Sequence, residues 1–433
     1  MSGKHLRIAW FSIYNRDKAE KGASTSAYFS DVLLPKLHPN FDIDLYGYEE
    51  GRLNDQRIRH FLSASRYHLE EPYDLFFYQY EDSQAADFIR MQIGLMPGLT
   101  LFHDLLLKSE CPPPLTFSVW PELVENFNKG INNVPIKSPQ PDRGPFAYRE
   151  VSLAPVSLYS SQRLCGEARR HVSESLGRIP LALGATKIYL AHPVEMKLSL
   201  QQSEIQNDDI FRIGFVGHPG FENRAHKVLQ ALRNVDGELY WLLEKKDEAQ
   251  ALELLKEFSI SKYKLFFGES PVAWQSIVNS LDVALHPLFS AYGTPRAYLA
   301  ISLANGVPSI VTDFGDGEFL PDDIVFKITP GHQEVAFLRE NIEAIRGLDS
   351  AKRHTLSEAA FRYAKENFSS DIIAAELGRI FEKITPEFKK IYSRWSELYS
   401  WARAEVVNEN VAAYDQALIE PTFREFNWLG DSQ

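Results

Sequence analysis

Residues 285–315, LHPLFSAYGTPRAYLAISLANGVPSIVTDFG, constrain the fold more than any other stretch of this chain. They read as strand, loop, helix, strand. A strand ends at Leu285, and His286-Pro287 stops it. Pro295 suits the first position of a helix, where its missing N–H costs nothing. Ala297, Leu299, Ala300, Ile301, Leu303 and Ala304 make that helix apolar, and Gly306 ends it. Residues 308–311 then form a near-continuous apolar strand, as a parallel strand covered on both faces must. The helix begins where Gly293, Thr294 and Arg296 converge. Backbone N–H groups, a hydroxyl and a guanidinium at a helix start make an anion seat. The same residues also describe an ordinary crossover helix with an N-terminal turn.

The alternation runs through the chain. In the first half, strands are expected at 6–14, 41–47, 73–80, 99–102, 155–160 and 187–193, and helices at 24–37, 83–93 and 162–176. The segment 52–65, polar with scattered aliphatics, is expected to be helical. Residues 198–209 are polar and lack Gly and Pro, and they mark the domain boundary. A second series comes next, with strands at 211–216, 238–243, 263–267, 282–285, 308–311 and 323–328. Its helices are expected at 224–233, 247–258 and 272–280. From Glu334 onward the pattern is almost all helix, with Ile373, Leu377 and Phe381 on one face. The prediction is an α/β chain of two Rossmann-like doubly wound domains facing across a cleft. They comprise residues 1–200 and 201–370, followed by a helical tail over 371–433.

In open α/β sheets, ligands meet the carboxyl ends of strands. Two places in the first half qualify. Gly22, Ser24 and Thr25 lie between the first strand and the first helix. They either let a ligand approach the backbone or simply cap the helix. His103 and Asp104 end the apolar strand 99–102. The imidazole either hydrogen-bonds a ligand in the cleft or is packed, with Asp104 capping the next helix. Residues 109–144 are proline-rich, carry Trp120, and read as a flexible insertion near the cleft.

Charge and cysteine usage exclude several classes. The net charge is −12, which argues against non-specific nucleic-acid binding through Lys and Arg. The two cysteines, Cys111 and Cys165, have neither CxxC nor paired spacing, so a reducing cytoplasm is expected. The opening MSGKHLRIAWFSIYN lacks a small-residue cleavage site and reads as a first strand, not a signal peptide. No apolar window approaches the length of a membrane span.

These residues resemble a known family. The layout is similar to that of GT-B glycosyltransferases, and its details resemble the retaining enzymes of family 4. YDLFFYQYEDS followed by LTLFHDLLL resembles the family's strand pair ending in His-Asp. SLYSSQRLCGEAR resembles its serine-ended strand before the interdomain linker. FRIGFVGHPGFENRAHKVLQAL resembles its first donor-domain βα unit, and residues 279–315 resemble its donor segment. Departures are present too. The family's two glutamates, eight apart, fall on Gly293 and Ile301. Its Arg after the first donor-domain strand is His218, and its Lys five residues on is Asn223. Arg224 and Arg296 are the candidate substitutes. Glu318 falls where the family often keeps a second acidic loop.

The resemblance implies a metal-independent glycosyltransferase acting with retention on a UDP- or GDP-type nucleotide-sugar. No cofactor is expected. His103 and Asp104 would act at the reaction centre, lined by Gly22, Ser24 and Thr25. His218, Arg224, Tyr292, Gly293, Thr294, Arg296 and Glu318 would hold the donor. The acceptor would be a carbohydrate or lipid-linked molecule of cell-surface polysaccharide synthesis. Peripheral contact with the inner membrane face is an accompanying expectation. The final helix would cross back to the first domain. The missing glutamate pair raises an alternative, a non-catalytic GT-B protein partnering another glycosyltransferase.

Overall fold

Leu75–Tyr80 (β5) is buried along its whole length, with apolar neighbours on both sides of its sheet. It is a central strand of the first of two sheets in this computed structural model. The structure describes residues 5–14, 24–53, 55–81, 83–105, 150–151, 154–175, 187–197, 210–220, 223–268, 271–289 and 297–406. The expected insertion at 109–144, the linker 198–209 and the final residues 407–433 lie outside them.

The first sheet is built from β1 (Leu6–Phe11), β2 (Phe41–Gly47), β3 (Gly51–Leu53), β4 (Gln56–His60), β5, β6 (Leu99–Phe102), β7 (Val156–Tyr159) and β8 (Lys187–Tyr189). Their order is β3-β4-β2-β1-β5-β6-β7-β8, parallel except for the β3–β4 pair. Helices α1 (Thr25–Leu37), α2 (Ala64–Glu70), α3 (Asp87–Leu95) and α4 (Gln162–Ser175) accompany it. The second sheet contains β9 (Arg212–Val216), β10 (Glu238–Leu243), β11 (Tyr263–Phe267), β12 (Val283–His286), β13 (Ser309–Thr312) and β14 (Phe326–Ile328). Its order, β11-β10-β9-β12-β13-β14, is that of a doubly wound dinucleotide-type domain, and every pair is parallel. Helices α5 (Ala225–Leu232), α6 (Glu248–Glu257), α7 (Pro271–Ile277), α8 (Ala297–Ala304) and α9 (Glu334–Arg346) belong to it.

One expected element is wrong. Residues 52–60 are not helical: β3 and β4 form an antiparallel pair, β4 also pairs in parallel with β2, and helix begins only at Phe61. Leu53 and Ile58 are the buried members. Their alternation with polar residues has the period of a strand, and Ile58 aligns with Leu45 of the neighbouring strand.

The chain crosses between the domains twice, and the two crossings hold each other. Val194 N–H donates to Phe368 O at 2.7 Å, and Ser370 N–H donates to Val194 O at 2.9 Å. The second crossing joins α10 (Ser350–Asn367) to α11 (Ser370–Val406), and α11 packs on α1 and β5 of the first domain. The face expected from helical spacing is the one that packs: Ile373, Leu377 and Phe381 are buried. The Phe381 ring meets Trp10, Phe41 and Phe77 with centroids 5.4–6.5 Å away. Farther along, Tyr392 OH accepts the Phe76 N–H at 3.0 Å. That bond satisfies a β5 backbone donor with a side chain from a distant part of the chain. No helix among the described residues is long and apolar enough to cross a membrane.

Phe381→Ala would leave a hole between these three rings and should cost about 3–5 kcal/mol. Chemical denaturation monitored by tryptophan fluorescence should show the first transition moving to lower denaturant. An unchanged midpoint would mean that the last helix contributes nothing to the first domain.

Candidate functional site

Each sheet has one place where neighbouring connections diverge, and there strand ends leave a crevice. In the first domain this lies between β1 and β5. Beneath it is a buried polar network. Trp10 Nε1 donates to Ser30 Oγ at 3.1 Å, and Ser30 Oγ lies 3.0 Å from Ser12 Oγ. Gln79 Nε2 donates to both hydroxyls, at 2.6 and 3.2 Å. Gln79 Oε1 lies 3.2 Å from His103 Nε2, so that nitrogen carries the proton. Glu81, which follows β5, accepts the Ser26 N–H at 2.9 Å and the Ser26 hydroxyl at 2.7 Å. Its carboxylate therefore occupies the start of α1. Burial pushes it from the ordinary 4.5 up to about 6 against the pull of those bonds. Sequence spacing does not single out Glu81. Its one signal is a lone acid at the end of an otherwise apolar and aromatic strand.

Ser24 caps α1, its Oγ accepting the Ala27 N–H at 3.0 Å; of the two sequence readings, the structure realises the cap. Thr25 is the half-buried first residue of that helix, and Gly22 lies outside the described residues. His103 does not open to the cleft. Its side chain is fully buried between the rings of Phe29, 5.6 Å away, and His192, 5.5 Å away. The strand ends with this side chain turned towards α1, and Phe29 of that helix packs on it. Burial, and then the second imidazole, hold His103 well below the usual histidine range. Its Nδ1 has no hydrogen-bond partner among the described residues. Asp104 is half-buried and raises Glu81 slightly by its charge.

In the second domain the crevice lies between β9 and β12. Gly217 follows β9 with φ +131°, and a Cβ there would meet the Asn223 side chain at 2.6 Å. That close approach accounts for the glycine. Its carbonyl accepts Trp241 Nε1–H at 2.9 Å. His218 stands exposed beside it. Nδ1 lies 2.9 Å from Asp247 Oδ2, a contact by distance without the alignment of a hydrogen bond.

Arg224 requires a correction. The sequence suggests that it offers its charge to a ligand, but it is buried and its guanidinium is held bidentately by Glu334. Nε donates to Oε1 at 2.8 Å and Nη2 to Oε2. Its flat face covers Phe289, 4.7 Å from the ring centre. Residue 224 is left-handed, at φ 58°, and this places it just before α5 rather than on it. The charge is already balanced by a fully buried carboxylate. Glu318 is also engaged away from the crevice, reaching Arg163 of the first domain at 3.4 Å. Tyr292, Gly293, Thr294 and Arg296 lie outside the described residues, directly ahead of α8. No group of three or more metal-type side chains comes together among the described residues.

No protein-family model and no curated protein matches this chain. Solved structures do. Sucrose-phosphate synthase of Thermosynechococcus elongatus aligns over 88% of this chain and 100% of its own, at 14% identity and TM-score 0.64. HepE of Anabaena, solved with UDP and glucose, aligns over 87% and 100%, at 15% identity and TM-score 0.59. A glycosyltransferase of Rickettsia africae aligns over 88% and 98%, at 13% identity and TM-score 0.59. The likeness establishes the GT-B fold, two Rossmann-like domains with C-terminal helices, which the sequence resemblance implied.

The buried charges have two measurable consequences. Arg224→Ala strands Glu334 and should destabilise the fold by about 3–5 kcal/mol, whereas Arg224→Met with Glu334→Leu should recover most of that loss. Thermal unfolding of the three proteins checks this. The second consequence concerns acid. His103 is depressed, and burial lowers His192 to about 3. The stability from holding both rings neutral is fully present above pH 6.5 and is lost as pH falls towards about 3. Glu81 has the opposite sign: its contribution is full below 4.5 and is lost as pH rises through about 6. Each group contributes about 1.4 kcal/mol per pH unit, so two imidazoles outweigh one carboxyl. Stability should fall on acidification below pH 6.5, and His192→Phe should flatten that fall. A midpoint independent of pH from 6.5 to 4.5 would contradict the burial of the rings as neutral groups.

Proposed function

We propose that this chain is a glycosyltransferase that moves a sugar from a nucleotide-sugar to a carbohydrate or lipid-linked acceptor. The observation that carries the reading is the second domain's crevice. A glycine-turned loop with an exposed His218 follows β9, and the start of α8 faces the same strand ends. Gly293, Thr294 and Arg296 precede α8, where free N–H groups and a cation suit a diphosphate. Support comes also from the neighbouring folds, among them HepE, which was solved with UDP and with UDP-glucose.

In this reading His218 and Arg296 share the charge that Arg224 cannot offer. His103 acts through position, not as an open acid or base. Retention of configuration, independence of metal ions and a cytoplasmic site at the inner membrane face belong to the same proposal. Chelation by EDTA should leave turnover unchanged.

A second reading is favoured by specific residues. Gly293 and Ile301 replace two family carboxylates, His103 is sealed, and Arg224 is neutralised. A non-catalytic partner of another glycosyltransferase would tolerate all three.

Isothermal titration with UDP, GDP and dTDP separates the two. We expect one diphosphate to bind, and Arg296→Ala to weaken it about tenfold, from the loss of one charge-assisted bond worth about 1.5–3 kcal/mol. The matching nucleoside should bind both proteins equally. Absence of binding by all three diphosphates would favour the partner role.

A further inference from the structure

Phe314, Asp316 and Glu318, alternate residues of the segment after β13, all meet the first turn of α4 in the other domain. Asp316 Oδ1 accepts the Ser161 hydroxyl, and it accepts the Arg163 N–H at 3.3 Å. A carboxylate of the second domain thus caps a helix of the first. Ser161 Oγ in turn accepts the Leu164 N–H at 3.2 Å. Glu318 accepts from Arg163 Nη1 at 3.4 Å, and the guanidinium lies 5.2 Å from the centre of the Phe314 ring. Glu167, one turn farther along α4 and buried, holds Arg163 Nη2 at 2.9 Å. Arg163 is therefore aimed by its own domain and received by the other.

The contact continues past Phe314. Its ring packs on Phe289, 4.6 Å between centres with the planes 30° apart. Phe289 also carries the Arg224 guanidinium, 4.7 Å from its ring centre, and buried Glu334 holds that arginine. The order is cation, ring, ring, cation, from α4 of the first domain to the residue before α5 of the second. Both rings stand just past the carboxyl ends of β12 and β13, which are neighbouring strands. The two ends of this stack differ. Arg224 and Glu334 are buried and joined bidentately. The Glu318 side chain is 48% exposed, so water screens its pairing with Arg163 and the contact is weak. Phe289 and Phe314 belong to neither hydrophobic cluster, so the Arg163 end can part without opening a core.

We infer that Arg163 is a positioning residue through which the first domain orders the β12 and β13 ends of the second, so that the second crevice is complete only while the two domains are clasped. The coupling belongs to the unliganded chain; only the identity of what the crevice receives rests on the nucleotide reading.

Hydrogen–deuterium exchange on the full unliganded chain tests it in wild type, Arg163→Ala and Phe314→Leu. Both variants leave the two cores intact, and peptides from β10 and α9 report whether the second domain remains folded. We expect Arg163→Ala to speed exchange threefold or more in peptides covering residues 284–289, one ring beyond its own contact. Phe314→Leu keeps an apolar side chain but loses the ring that links Arg163 to Phe289, and it should speed the same peptides to the same extent. Exchange in β10 and α9 should not change. In titration, a diphosphate that binds the wild type should bind Arg163→Ala at least threefold more weakly. Wild-type exchange at residues 284–289 in either variant would overturn the inference. So would faster exchange spread through β10 and α9, or unchanged diphosphate affinity in Arg163→Ala. A wild type that binds no nucleotide would count against the proposed function alone, because the exchange comparison uses no ligand and still decides the coupling.

Discussion

The arrangement of this molecule depends on one insertion: Phe381 of the last helix sits among Trp10, Phe41 and Phe77 of the first domain. The helix that carries it leaves from the second domain. Its burial therefore ties the far end of the chain to the first sheet. The paired crossings at Val194, Phe368 and Ser370 add backbone bonds at the same joint. Ser161 to Asp316 and Arg163 to Glu318 add side-chain contacts between the two domains. With those contacts in place, the strand ends of both sheets open onto a shared cleft, and loops at those ends can meet a ligand from two sides.

Within that frame, the treatment of charge decides what each loop can do. Two groups that look available in the sequence are taken by the fold. Glu334 neutralises Arg224, and Glu81 occupies the start of α1. The first removes a cation from the second domain's crevice. The second places a carboxylate where a helix N-terminus would otherwise attract an anion. In the proposed reading this leaves the start of α8 as the place for the anion. His103 and His192 follow a different rule. Both are sealed and held neutral by burial, so they are suited to shape and hydrogen bonding and poorly suited to proton transfer near neutrality.

The fold is readable in the sequence because its signals are local and repeated. Buried parallel strands such as β5 and β10 are nearly continuous apolar runs, and α11 shows its buried face in the spacing of Ile373, Leu377 and Phe381. The β3–β4 pair reads falsely as a helix because a short, polar, two-strand edge has few apolar positions to show its period. The site is less readable for a physical reason. Pairing of Arg224 with Glu334 spans 110 residues, and Glu81 with Ser26 spans 55. Such partners are chosen by the tertiary fold and leave no local pattern. The same holds for His103: an apolar strand ending in His-Asp reads alike whether the ring turns out to the cleft or in towards Phe29.

In the proposed function a nucleotide diphosphate meets this chain at the β9 and β12 strand ends and the start of α8. Hydrogen–deuterium exchange with and without UDP, GDP or dTDP tests it most directly. One of these nucleotides should slow exchange in peptides covering residues 217–224 and 286–300, with the α1 start unaffected. Protection confined to the α1 start, or unchanged exchange with all three, would contradict binding at the second domain's crevice.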